Sequence, residues 1–196
     1  RSHYPADDGE GLDAACDIGT TTVVCHLIDG KTGEKLATVS EPSAQRSFGA
    51  DVLSRIQAAE AGKLEILKEQ IIFQIAQMLR TLQKKTGRGE QIQRLAVVGN
   101  TVMCHLFAGI SPVSIGVTPF MPQEFFGKEY TGEQLGLTDC RSVYIAPAVA
   151  GFVGGDITSD LLAVMQKKPK DKVLLLDIGT NGEMAVGNED QIYCCA

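Results

Sequence analysis

The chain has 196 residues, 44% of them apolar and 21% charged, which is room for a sizeable core and excludes disorder as its main state. Eighteen Lys and Arg stand against 24 Asp and Glu, a net charge of −6 that excludes a general nucleic-acid binder with a basic face. The least polar stretch, residues 145–155, is too short and too rich in glycine to span a bilayer, so no membrane partner is expected.

Residues 1–11 are polar, with Pro5 and three acids, and read as a linker or frayed terminus. Strands are predicted over 14–18, 22–28 and 35–40, separated by Gly-containing turns, as an antiparallel meander. A helix follows over 50–61. A longer one covers 63–85, because Leu64, Leu67, Ile71, Ile75, Met78, Leu79 and Leu82 recur at three and four residues and Gly87 can end it. Residues 94–98 form a short buried strand, and Gly99-Asn100-Thr101 opens a helix to about 108. The stretch 109–140, with Pro112, Pro119 and Pro122, is expected to be mostly irregular. A strand at 143–146 precedes a helix over 156–166 that Asp156 can cap. The run 167–172 invites a phosphate patch, but a solvated connecting loop is the preferred reading. Strands at 173–178, 183–186 and 191–195 close the chain, so the strand-turn-strand opening begins again at its end.

The chain opens at Arg1 without a signal-peptide pattern and stops inside an apolar run, and is expected to be an excised piece of a longer protein. Six cysteines show no CxxC or other ligand spacing and read as buried reduced thiols of a cytoplasmic protein. His26 and His105 each follow a cysteine, which fits core or surface positions better than a zinc cage.

The sharpest signal is a repeat. Asp17-Ile18-Gly19-Thr20 recurs as Asp177-Ile178-Gly179-Thr180, each time between two strands. Glycine lets a backbone come close to a ligand, and turn N–H groups with Thr hydroxyls can donate to phosphate oxygens. A carboxylate at the strand end suits hydrated magnesium. A pair of plain Gly hairpin turns is the alternative; the matched pair favours a phosphate clamp.

The two motifs resemble the phosphate-1 and phosphate-2 hairpins of the acetate and sugar kinase, heat-shock chaperone and actin superfamily. That resemblance implies an α/β, ribonuclease-H-like fold of the actin/hexokinase type: one complete half over 12–168 and the first strands of a duplicated half over 169–196. It implies ATP and magnesium as cofactors, with Asp17 and Asp177 holding the metal through water. Gly19, Thr20 and Thr21 would meet the phosphates from one side, and Gly179, Thr180 and Asn181 from the other. The segment 143–155 is similar to the superfamily's connecting segment. Many members have a glutamate before the proline, where Ala146 stands here, so Asp156 is open between a helix cap and a catalytic carboxylate orienting water or magnesium. Asn100 and Thr101, at a helix start, are candidates for the cleft.

A narrower resemblance is to the reductive activators of corrinoid enzymes. It rests on Asp17 through Thr22, Gln45 through Ile56, Gly99-Asn100-Thr101-Val102-Met103, Ala146-Pro147 through Gly154-Gly155-Asp156-Ile157, Asp177 through Glu183 and Cys194-Cys195-Ala196. It implies an ATPase domain that drives electron transfer to an oxidised cobalamin, regenerating cob(I), with a corrinoid protein or corrinoid methyltransferase as partner. The family's [2Fe-2S] cluster belongs to an upstream domain whose cysteine spacing is absent here. The adenosine-binding segment lies downstream of the second motif, so this chain alone is expected to be inactive and to bind ATP weakly, roughly millimolar. Two alternatives stay open: a small-molecule kinase, and a non-catalytic actin-like or chaperone-like interaction module. Pairing of the terminal strands in a homodimer is also kept open. Asp51 is read as a helix cap, and Arg55 as facing solvent rather than phosphate.

Overall fold

The structure, a computed structural model, describes residues 11–167, 169 and 171–196. Apart from Gly11, the linker expected over 1–11 lies outside the described residues, as do Lys168 and Lys170 of the basic run. In β1 (Leu12–Ile18) every second side chain, Leu12, Ala14, Cys16 and Ile18, is buried, the period-two signature of a strand with one face in the core. It pairs antiparallel with β2 (Thr22–Asp29), which pairs with β3 (Lys35–Pro42), giving the predicted meander.

Asp51 caps α1 (Val52–Ala58), its Oδ1 accepting from the Ser54 N–H at 2.8 Å. A π-type turn over Ala59–Lys63, where Gly62 adopts φ +81, separates α1 from α2 (Leu64–Thr86). The apolar repeat of α2 is buried as predicted: Leu67, Ile71, Ile75, Met78, Leu79 and Leu82 are all 0% exposed, each contributing roughly 1.5–3 kcal/mol. Gly87, in the left-handed region, ends the helix.

Two parallel strands extend the main sheet: β4 (Ile92–Val98) beside β1, and, after α3 (Thr101–Ala108), β6 (Cys140–Ile145) beside β4. The strand order is β3-β2-β1-β4-β6-β5, where β5 (Lys128–Thr131) pairs antiparallel with β6. The stretch expected to be irregular thus holds an edge strand, and a short helix too, α4 (Gly132–Leu135). Its start is a capping box: the Gln134 N–H donates to the Thr131 hydroxyl at 3.1 Å, and the Thr131 N–H to Gln134 Oε1 at 2.8 Å. Phe126 is buried edge-on against His105 with ring centroids 5.1 Å apart, whereas Phe120 and Phe125 are exposed.

After α5 (Gly155–Met165), the strands β7 (Val173–Ile178), β8 (Gly182–Gly187) and β9 (Ile192–Cys195) form a separate three-stranded antiparallel sheet. Helix α5 touches both β4 and β8, and a small cluster of Val153, Ile157 and Ala185 joins it to the second sheet. The opposite face of that sheet bears exposed Leu174, Leu176, Ile178, Met184 and Val186. In β1 the positions matching Leu174, Leu176 and Ile178 are the buried Ala14, Cys16 and Ile18. All six cysteines are free thiols; Cys16, Cys25, Cys104 and Cys140 are buried, Cys194 is partly covered and Cys195 is exposed. Among the described residues no helix is long and apolar enough to cross a membrane.

Candidate phosphate-binding site

Parallel strands bring the C-terminal ends of β1, β4 and β6 to one edge of the sheet, the place where open α/β sheets bind ligands. The turn after β1 and the helix start after β4 meet there. Glycine is required on geometric grounds at both: a Cβ on Gly19 would lie 2.6 Å from the Thr22 carbonyl oxygen, and one on Gly99 would lie 2.7 Å from Ile18 Cγ1. Gly154 lets the connecting segment approach α3 closely, since a Cβ there would sit 2.5 Å from Asn100 Cα. The second DIGT turn, 179–181, faces the first across a cleft of about 250 Å³. The Thr21 and Thr180 hydroxyls are hydrogen-bonded to each other at 2.7 Å.

Asp17, Gly19, Thr20, Thr21, Asn100, Asp156, Asp177, Gly179, Thr180 and Asn181 all line this cleft. Thr101 does not: it is 0% exposed and its hydroxyl donates to the Ala150 carbonyl at 2.6 Å. The cap of α3 is Asn100, whose Oδ1 accepts from the Met103 N–H at 3.0 Å while its Nδ2 donates to the Thr20 hydroxyl at 3.0 Å. Asp156 is not the cap of α5, a place taken by Gly154. It sits in the first turn and lines the cleft, its carboxylate accepting from the Ile157 N–H at 2.8 Å.

Two further residues line the cleft, Thr22 and Glu183, of which Glu183 is 7% exposed. Carboxylates dominate the electrostatics. Desolvation, then the nearby Asp156, Asp177 and Asp160, push the Asp17 carboxyl up to about 6, although Asp17 retains solvent access through the cleft mouth. Desolvation, then Asp156 and Asp177, push Glu183 up to about 7. Asp156 is also raised, by burial first and then by Asp177 and Asp160, against the opposing N–H of Ile157. Such a cluster repels a bare anion and welcomes a cation, so phosphate would enter with its metal. Among the described residues no three His, Cys, Asp or Glu side chains converge closely enough to cage a metal directly. That donor set fits magnesium held through water, with phosphate oxygens completing its shell.

Arg55 is not in solvent. It is 0% exposed behind the first turn, with Nη2 donating to the Thr20 carbonyl at 2.5 Å and Nε to the Gly49 carbonyl at 3.3 Å. Burial lowers its pKa to about 10.

Residues 12–168 match the family described as the RACo middle region. The chain belongs to that family. It is 36% identical over 186 residues to the corrinoid activation enzyme RamQ of Eubacterium limosum, covering 91% of this chain and 31% of that protein. To the [Co(II) methylated amine-specific corrinoid protein] reductase of Methanosarcina barkeri it is 28% identical, covering 91% of this chain and 34% of that one. The chain thus spans about a third of the length of the curated relatives it matches. A solved reductive activator for corrinoid, iron-sulfur protein superposes with a TM-score of 0.89 at 36% identity, over 97% of this chain and 31% of that one. A candidate 2-dehydro-3-deoxygalactonokinase from Sinorhizobium meliloti shares the fold, with a TM-score of 0.52 and 14% identity over 92% of this chain and 51% of that one.

In this RACo-type chain, sequence reasoning had a signal for Glu183 in the motif ending Asn181-Gly182-Glu183, but strand alternation alone does not say which face of β8 meets the cleft. For Arg55 the only signal is an arginine one turn inside a capped helix, which usually means solvent.

Proposed function

We propose that this chain is the nucleotide-clamping part of an ATP-dependent reductive activator of corrinoid proteins, built on an actin-like fold with the 12–168 region as its first half. The observation that carries this reading is the pairing of the two DIGT turns across one acidic cleft, with Thr21 and Thr180 in contact. Asp17 and Asp177 would hold hydrated magnesium. The turn N–H groups and the hydroxyls of Thr20, Thr21 and Thr180 would orient the phosphates, and Asp156 would place the attacking water where the superfamily's glutamate is replaced by Ala146. Binding of nucleotide would replace the Thr21–Thr180 contact with phosphate bridging the two turns, and so change how they sit against each other. That movement changes the free energy of the complex with the corrinoid protein only if nucleotide binds its two states unequally.

The electron itself would come from the iron-sulfur cluster of the parent protein, and one electron converts Co(II) to Co(I). The names of the relatives support the corrinoid partner. The test is cobalt reduction, followed by absorbance, in the natural protein bearing this chain mixed with a Co(II) corrinoid protein. Reduction should require ATP and magnesium and should fall by a factor on the order of 100 in Asp17→Ala and in Asp177→Ala. Reduction that proceeds at the same rate without ATP would remove the clamp from the mechanism, and phosphoryl transfer to a small acceptor would favour a kinase.

A further inference from the structure

The first DIGT turn is held from behind by a group that does not line the cleft. Arg55 lies fully buried one turn into α1, and its three donor nitrogens reach three different segments. Nη2 meets the Thr20 carbonyl at 2.5 Å, Nε the Gly49 carbonyl at 3.3 Å, and Nη1 the Met103 sulfur at 2.9 Å. These contacts close a ring. Thr20 accepts from the Asn100 side chain, Asn100 accepts from the Met103 N–H, and Met103 returns to Arg55 through its sulfur. The turn after β1, the start of α3 and the helix α1 are tied together at that ring.

The chemistry of the ring is unusual for a piece of core. None of the ion pairs among the described residues includes Arg55, and Asp51, whose charge favours the cation, accepts from Ser54 as a helix cap rather than from Arg55. A buried cation without a carboxylate is costly, and a Met or Leu of similar volume would fill the space without that cost. What such a residue would not do is hold the Thr20 carbonyl in place. Gly49 serves the same end: at φ +149, with a Cβ that would lie 2.3 Å from Ser54 Cβ, only glycine offers its carbonyl there.

We propose that Arg55 is a positioning residue of the phosphate site, fastening the Thr20 carbonyl and so aiming the N–H groups and hydroxyls of residues 19–22 into the cleft without touching the ligand. The proposal deepens the phosphate-site reading and rests on it for the ligand. Its action is through the planar fork, which lysine lacks.

The experiment compares Arg55→Lys and Arg55→Gln with the wild-type chain by residue-resolved hydrogen exchange and by NMR titration with MgATP. The expected result is a local loss: protection of the Ser43 amide, which donates to the Thr21 carbonyl, of the Met103 amide and of the Asn100 side-chain amide falls about tenfold or more, while β2 and β4 amides stay unchanged, and lysine gives no rescue. MgATP affinity falls by about tenfold or more in both variants. A loss spread evenly over the sheet would make Arg55 merely structural and overturn the proposal, as would unchanged protection of the turn or full rescue by lysine. If the natural protein bearing this chain fails to bind MgATP, the phosphate-site reading falls, while the exchange pattern still decides whether Arg55 holds the turn. If both variants unfold, the wild-type guanidinium decides it: resolved, slowly exchanging Nη protons are expected, and freely averaging ones would overturn the proposal.

Discussion

Alanine at Gly19 and at Gly179 should have different effects, although the two glycines occupy matching places in the repeat. At Gly19 the new Cβ would lie 2.6 Å from the Thr22 carbonyl oxygen, which is backbone and cannot swing aside. Relief requires the turn between β1 and β2 to open by most of an ångström, at a cost of about 1–3 kcal/mol. For a chain of this size each kcal/mol lowers Tm by about 2–4 °C, so Gly19→Ala should melt on the order of 5 °C below wild type. At Gly179 the nearest atom to a new Cβ is the Asn181 oxygen at 3.6 Å, an ordinary contact, so Gly179→Ala should stay within about 0.5 kcal/mol of wild type. Both glycines line the cleft, so both variants should lose affinity for MgATP. Thermal unfolding followed by circular dichroism, together with NMR titration, reads the two effects separately. Equal Tm losses would refute the packing argument, and full MgATP affinity in Gly179→Ala would leave the second glycine with no role in ligand approach.

Three further outcomes follow from the same geometry. Asp17 and Glu183 hold protons in the folded chain up to about 6 and about 7, whereas the unfolded chain releases them near 4, so the folded state binds more protons between. Their contribution to stability should therefore fall as pH rises from about 4 to about 7, against the opposite slope of His105, whose pKa burial lowers, and magnesium should lessen the fall; the urea midpoint of wild type minus that of Glu183→Gln at several pH values isolates the carboxylate, and a difference that rises through that window would contradict the carboxylate crowding. Asp177→Asn should weaken magnesium-dependent nucleotide binding by about tenfold or more without lowering Tm, measured by titration with and without chelator. Asp51→Ala should cost about 1 kcal/mol through loss of the α1 cap, visible in urea unfolding; no change would mean that Ser54 finds another partner.

The elements that could be read from sequence are those whose burial has a clear period. Helix α2 shows seven apolar positions at helical spacing, and β1 and β2 alternate, so both were legible. The segment 109–140 was not, because its order depends on a distant partner: β5 exists only by pairing Tyr130 with Val143 and its neighbours. Its capping box, Thr131 with Gln134, was nonetheless present in the sequence as a local signal. In the site, the duplicated motif exposed both turns, since each carries its own glycine and carboxylate. Thr101, Arg55 and the cap of α5 could not be placed because a side chain's direction at a helix start depends on what packs behind it. Thr101 turns to Ala150, Arg55 to Thr20, and Gly154 rather than Asp156 begins the helix.

The clamp itself is tested most directly by titrating the isotopically labelled chain with MgATP and following the amides of residues 19–22 and 179–181 by NMR, a method suited to weak binding. The account predicts that both turns shift together with one common dissociation constant, that the hydroxyl contact between Thr21 and Thr180 gives way to the phosphates, and that chelating magnesium abolishes the shifts. Shifts confined to one turn, or persisting undiminished without magnesium, would contradict it.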